Sequence, residues 1–211
     1  MRRVAVVLRF VSPLRATRPV GSIVASHIQS TKGRISELVR ERYLRAGIMN
    51  EKEIENEVKD WLKRLQTVFP RKQYNGVEQV CITSSQVLGF VYEKSRALGM
   101  KNITLRVVKQ LINVHPYLIG LRRGNKPVTE TMYVEDTVVS ASKDRRTAIK
   151  VYEVLEPPFE TERFYVETHD SITIDQLREI FAFGRIGSSR KQGYGSFRGR
   201  VVGVLEDGGG S

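Results

Sequence analysis

The sequence predicts an α+β fold in which strands from both ends of the chain contribute to one core. Three observations carry this. Residues 3–11 (Arg-Val-Ala-Val-Val-Leu-Arg-Phe-Val) form an apolar, β-branched run that Pro13 ends. Near the other end an apolar stripe at helical spacing (Ile174, Leu177, Ile180, Phe181) leads through a glycine-rich basic stretch into an apolar strand pattern (Phe197, Val201, Val202, Val204, Leu205). Between them, two β runs, Ala148 to Leu155 and Arg163 to Thr168, flank Glu-Pro-Pro-Phe-Glu-Thr-Glu and read as a hairpin.

The remaining elements follow in order. An arginine-containing loop comes after the first strand, and Ser30 or Thr31 can cap a helix through Ile35, Leu38, Val39 and Tyr43 to Gly47. Asn50 with Glu53 opens a second helix, whose stripe of Ile54, Val58, Trp61, Leu62, Leu65, Val68 and Phe69 stops at Pro70. Residues 78–83 suit a short strand, and Ser84 or Ser85 caps a third helix (Val87, Leu88, Val91, Tyr92) closed by Gly99. Residues 103–121 are apolar and β-branched without a dominant period. A polar excursion follows, with Arg122-Arg123 and Lys143 to Arg146 at its ends. Thr173 or Asp175 caps the final helix. Taken together the terminal parts give strand, helix, hairpin, helix, strand, the βαββαβ order of the ferredoxin-like topology. The expectation is a single domain over 1–207, with core segments 1–45 and 147–207, a helical insertion at 46–146, and a linker at 208–211.

Charge narrows the function. Lys and Arg number 35 against 23 Asp and Glu, for a net charge of +12. Residues 1–50 hold ten of the bases and only two acids, Glu37 and Glu41. Such concentration is the electrostatic footprint of a surface that meets a polyanion. Cys81 is the single cysteine, so an internal disulfide and a CxxC zinc site are both excluded. No apolar run reaches the roughly 18–20 residues of a membrane span. The N-terminal apolar run is interrupted too soon by Arg9 for a signal peptide, and a cytoplasmic protein is expected. The histidines, His27, His115 and His169, are not spaced as metal ligands, and no metal or cofactor is expected.

The chemistry concentrates in Gly184-Arg-Ile-Gly187-Ser-Ser-Arg-Lys-Gln-Gly193-Tyr-Gly195-Ser-Phe-Arg-Gly-Arg200, which holds five glycines, five bases and no acid. Glycines let a backbone come close to a ligand, Arg190 and Lys191 supply cations, and Tyr194 offers a ring. Bare amides, fixed cations and an aromatic face suit nucleic acid. A P-loop or dinucleotide fingerprint fails on context, because each needs the glycine turn to follow a strand and open a helix. The spacing Gly184-x-x-Gly187, then Ser188, Ser189, Arg190, Lys191 and Gln192, then Gly193-Tyr194-Gly195, set before the last strand, resembles the glycine-rich loop of the RAMP superfamily. These are CRISPR-associated RNA-binding proteins with a ferredoxin-like, RRM-related core.

The resemblance implies an RNA-binding subunit of the guide-RNA (crRNA) backbone in a CRISPR effector complex used in antiviral defence. Its partners would be guide RNA, other effector subunits, copies of itself along the RNA, and target nucleic acid paired to the guide. RNA contacts are expected at Arg15, Arg18, Lys32 and Arg34, and at Gly184, Gly187, Ser188, Ser189, Arg190, Lys191, Gly193, Tyr194 and Gly195. Ser30-Thr-Lys-Gly-Arg34 is similar to a Ser-x-Lys-Gly-x-Arg stretch of these subunits, and a plain helix cap explains it equally. The basic ends of 122–146 suit a thumb-like extended hairpin, or a solvated loop. Backbone subunits that cut target RNA carry an aspartate near the first strand. Here the first aspartate is Asp60, which leaves such cleavage without a candidate. Two alternatives stay open: a metal-independent CRISPR-RNA-processing endoribonuclease, with His27 as general base beside Lys32 and Tyr43, and a RAMP-like RNA-binding protein outside CRISPR.

Overall fold

The computed structural model describes residues 2–19, 66–139, 147–188 and 190–206. The first half runs β1 (Arg2–Phe10), β2 (Leu14–Arg15), β3 (Arg18–Pro19), β4 (Gln66–Val68), β5 (Arg71–Tyr74), β6 (Val77–Thr83), α1 (Ser84–Ala97) and α2 (Leu105–Leu111). Then come β7 (Ile112–His115), β8 (Leu118–Arg123), β9 (Lys126–Pro127), β10 (Met132–Val139), β11 (Thr147–Leu155), β12 (Phe159–Thr161), β13 (Phe164–Thr168), α3 (Ile174–Ala182), β14 (Phe183–Arg185) and β15 (Ser196–Glu206). The fold is α+β. It divides into two units: residues 1–15, 69–131 and 155–211 form the first, and residues 16–68 and 132–154 the second. Residues 69–131, expected within the insertion, thus group with both chain ends.

The first unit is built on a sheet of order β14-β15-β1-β12-β8-β6-β5, with β13 beside β1 and β7 beside β13. Every pairing along it is antiparallel. Alternation in β1 sends Leu8 and Phe10 into the core and leaves Arg9 exposed. Phenylalanines fasten the helices to this face. Phe10 stacks on Phe159 at 4.6 Å, Phe90 of α1 meets Phe197 edge-on at 5.0 Å, and Phe181 of α3 meets Phe164 at 6.2 Å. Both longer helices open on a capping box: Thr83 with Gln86 for α1, and Thr173 with Gln176 for α3. Further along the sheet, fully buried Gln79 donates to the Leu121 carbonyl (3.1 Å) and to Glu162 (3.0 Å), which also pairs with Lys72. Burial pushes the Glu162 carboxyl up, but hydrogen bonds from Lys72 and Gln79, with the Lys72 and Arg122 charges, outweigh it and hold it below the usual carboxylate range. Burial also raises the Cys81 thiol to about 11.

In the second unit β10 pairs antiparallel with β11 from Met132↔Val154 to Val139↔Thr147. β4 lies parallel to β11 and antiparallel to β3.

Two expectations are corrected, and one ambiguous stretch is resolved. The run Ala148 to Leu155 does not form a hairpin with Arg163 to Thr168: β11 pairs with β10, whereas β13 lies between β1 and β7. The break at Pro157-Pro158 ends one strand without folding it onto the next. The end of the stripe expected to run helically to Phe69 is strand β4 at Gln66–Val68, and the helix expected before it, from Asn50, lies outside the described residues. Thr67 and Val68 are β-branched, and Pro70 drives the residue before it toward extended backbone. The ambiguous stretch 103–121 resolves into α2, capped by Thr104, followed by β7 and β8. The helix expected at residues 30–47 lies outside the described residues.

Candidate nucleic-acid interface

The glycine-rich stretch folds as a hairpin between β14 and β15, with Phe183↔Arg198, Gly184↔Phe197 and Arg185↔Ser196 in register. At its tip Arg190–Gln192 make one 3-10 turn, closed by the Gly193 N–H donating to the Arg190 carbonyl at 3.1 Å. The loop is tied to the end of β1 and the residues after it. The Gly195 N–H donates to the Pro13 carbonyl (2.7 Å), the Ser12 hydroxyl donates to the Gly193 carbonyl (2.8 Å), and the Ser188 N–H donates to the Arg15 carbonyl (3.4 Å).

Two glycines are required by this docking. Gly195 has φ +70°, and a Cβ there would lie 1.7 Å from the Ile186 carbonyl oxygen. Gly187 has φ +99°, and its Cβ would lie 2.8 Å from the Arg15 carbonyl oxygen. Gly184 lies in β14 against the Phe90 ring. The close approach that the glycines permit is therefore approach to the protein's own backbone and core.

Arg15 and Tyr194 also meet within the protein. The Arg15 guanidinium carbon sits 3.8 Å over the Tyr194 ring centroid, and Arg15 Nη2 donates to the Tyr194 hydroxyl at 2.8 Å. Arg15 is only 4% exposed. A desolvated cation–π contact of this kind contributes about 2 kcal/mol, so Arg15 holds the loop in place and covers one face of the ring.

The loop's outer cations behave differently. Lys191 is exposed, while Arg190 makes a bidentate pair with Glu93 of α1, including one hydrogen bond of 3.1 Å. Their side chains are 40% and 56% exposed, so the pair contributes on the order of 0.5 kcal/mol. An incoming phosphate displaces such a carboxylate at little cost. Phe90, Glu93, Lys94, Arg185, Arg190 and Lys191 line an open groove of about 430 Å³ here, with four cations around one carboxylate.

The structure thus brings together Arg15, Gly184, Gly187, Ser188, Arg190, Lys191, Gly193, Tyr194 and Gly195. Arg18 falls on β3, in the second unit. His27, Lys32, Arg34 and Ser189 lie outside the described residues. Sequence reasoning missed Glu93, Lys94 and Ser12. Nothing local marks them: Glu93 and Ser12 meet partners 97 and 184 positions away along the chain, and Lys94 reaches the groove from α1. Among the described residues no group of His, Cys, Asp and Glu is placed to hold a metal ion. No helix among them is long and apolar enough to cross a membrane.

No family model and no curated protein matches the sequence. The structure is similar to a chain of a type IV-B CRISPR complex, at 10% identity and a TM-score of 0.50, covering 100% of this chain and 93% of that one. It is also similar to a chain of a type III-B Cmr-beta complex bound to cognate target RNA, at 11% identity and a TM-score of 0.45, covering 97% of this chain and 61% of that longer one. At such identity the likeness to the type IV-B chain shows a shared fold.

Proposed function

We propose that the chain is an RNA-binding protein of the RAMP superfamily that serves as a non-catalytic guide-RNA backbone subunit of a CRISPR effector complex. The observation that carries this is the glycine loop. It is seated on the end of the first strand by backbone hydrogen bonds, and it holds Arg190 and Lys191 on a groove whose only carboxylate among the described residues is Glu93. A loop tied down by its backbone, with outward cations, binds phosphates without reading bases, as a guide backbone requires if pairing is to read the target.

On this reading the first unit is a ferredoxin-like core. Its strand order of β15, β1, β12 with β13, then β8 with β7, together with α1 and α3, fits βαββαβ. Residues 16–68 and 132–154 are then two excursions from it, and the β10–β11 hairpin is the thumb-like element. The shared fold with a chain of a type IV-B CRISPR complex supports the same reading. Guide RNA, further copies of the chain and other effector subunits are the partners.

Size-exclusion chromatography with and without repeat–spacer RNA, followed by a denaturing gel, tests the proposal. A backbone subunit elutes early with intact RNA. Cut RNA selects the processing enzyme, and unchanged elution selects a protein that ignores such RNA.

A further inference from the structure

The open face of the first unit's sheet, away from the helices, carries a row of arginines that the loop does not explain. Register sets the row. Arg122 of β8 lies opposite Glu160 of β12, Glu160 opposite Arg9 of β1, Arg9 opposite Arg198 of β15, and Arg198 opposite Phe183 of β14. Directly opposed residues in antiparallel strands point to the same face. At the usual strand spacing, three steps from Arg122 to Arg198 span roughly 14 Å.

Internal electrostatics account for Arg122, whose charge helps to hold Glu162 ionised, but not for the rest of the row. Arg9 and Arg198 are exposed and directly opposed, a like-charge pairing that destabilises a sheet. Glu160 is the only carboxylate in the row. Among the described residues, no salt bridge engages Arg9, Arg122, Arg123 or Arg198. Arg122 and Arg123 are anchored by backbone carbonyls instead: Arg122 Nη2 donates to Asn125 O and Arg123 Nη2 to Glu156 O, both at 2.8 Å. A carbonyl aims a guanidinium without neutralising it. With Arg9, these two line an open groove of about 510 Å³ beside Pro157 and Pro158. Phe183, at the far end of the row, is 48% exposed.

We infer that this strip is a second nucleic-acid contact surface, separate from the glycine loop, which takes the phosphodiester backbone of a single strand on Arg122, Arg9 and Arg198 and stacks a base on Phe183. Guanidinium forks match phosphate oxygens, and an exposed ring at the end of a cation row provides a face for any base. An acidic peptide would satisfy the arginines but give the ring nothing flat to stack on. The inference extends the RNA-binding reading but does not depend on the loop.

The test compares the full-length wild-type protein with Arg9→Gln/Arg198→Gln, Phe183→Ala and Arg190→Ala/Lys191→Ala on a 30-nucleotide single-stranded RNA, by fluorescence anisotropy across a salt series. Loss of two phosphate contacts lowers the slope of log K against log salt by about 1.4 in the Arg9/Arg198 variant. Phe183→Ala leaves the slope unchanged and weakens binding about ten-fold. Arg9→Lys/Arg198→Lys keeps the wild-type slope, and thermal melting confirms that each variant is folded. A wild-type slope in the Arg9/Arg198 variant overturns the inference, and if the loop variant still loses slope the loop reading survives alone. A reduced slope with wild-type affinity in Phe183→Ala also overturns it, because the strip is then a general polyanion surface.

Discussion

Gly195→Ala separates the structural role of the glycine loop from its binding role. An alanine at φ +70° costs about 1–2 kcal/mol in backbone strain alone. Its Cβ would lie 1.7 Å from a backbone oxygen, and rotating a side chain cannot relieve that. The loop must move off, giving up the Ile186 N–H to Gly195 carbonyl bond (3.0 Å) and the Gly195 N–H to Pro13 carbonyl bond (2.7 Å), each contributing about 1 kcal/mol. The total is about 3–4 kcal/mol, which lowers Tm by about 10 °C in a chain of this size. Gly193→Ala is the control. Gly193 also has positive φ, at +93°, but its Cβ would meet nothing within 4 Å. Only the dihedral cost of about 1 kcal/mol remains, a few degrees in Tm. Thermal melts of the three proteins followed by circular dichroism make the comparison. Equal losses in the two variants would refute the docking argument.

Three further outcomes are expected. Arg190→Ala with Lys191→Ala lowers the salt slope of RNA binding by about 1.4, whereas Glu93→Gln, which removes the carboxylate that phosphate must displace, tightens binding and leaves the slope unchanged; titrations at several salt concentrations read both. His27→Ala leaves RNA binding and assembly intact, and loss of specific repeat-RNA cleavage on that one change, seen on a denaturing gel, selects the processing enzyme instead. Because the folded-state pKa of Glu162 is depressed, its ionic contribution to stability is present above the ordinary carboxylate value of 4.5 and lost as pH falls through the folded value. Urea midpoints at pH 6 and pH 3.5 should therefore differ less in Glu162→Gln than in the wild type.

What was legible in the sequence was local. Leu8 and Phe10 alternate with Arg9, Ile180 and Phe181 keep helical spacing, and both signals survive in the fold because each depends on neighbours within a few residues. Strand partnership was not legible. Nothing in Ala148 to Leu155 says that it pairs with Met132–Val139 rather than with the next β run, since both candidates have the same β-branched character. The loop was recognisable by its glycines, but their reason was not, because Gly195 meets Pro13 only after the chain ends converge. The same holds for Tyr194, whose ring is covered by an arginine 179 positions earlier. The open-face arginines did leave a signal. Arg9 interrupts an apolar strand at an alternate position, and Arg198 and Arg200 do so in the last one. Alternation of that kind marks a sheet face turned away from the core.

On the proposed function, RNA organises copies of this chain. A subunit with net charge +12 repels its own copies, and phosphates of a shared strand offset that repulsion. Mass photometry on single-stranded RNAs of increasing length measures this directly. The expected result is a protein that is monomeric without RNA in moderate salt, complexes that grow in steps of one 24.0 kDa subunit as the RNA lengthens, and shorter oligomers as salt rises. A one-to-one complex at every RNA length contradicts it.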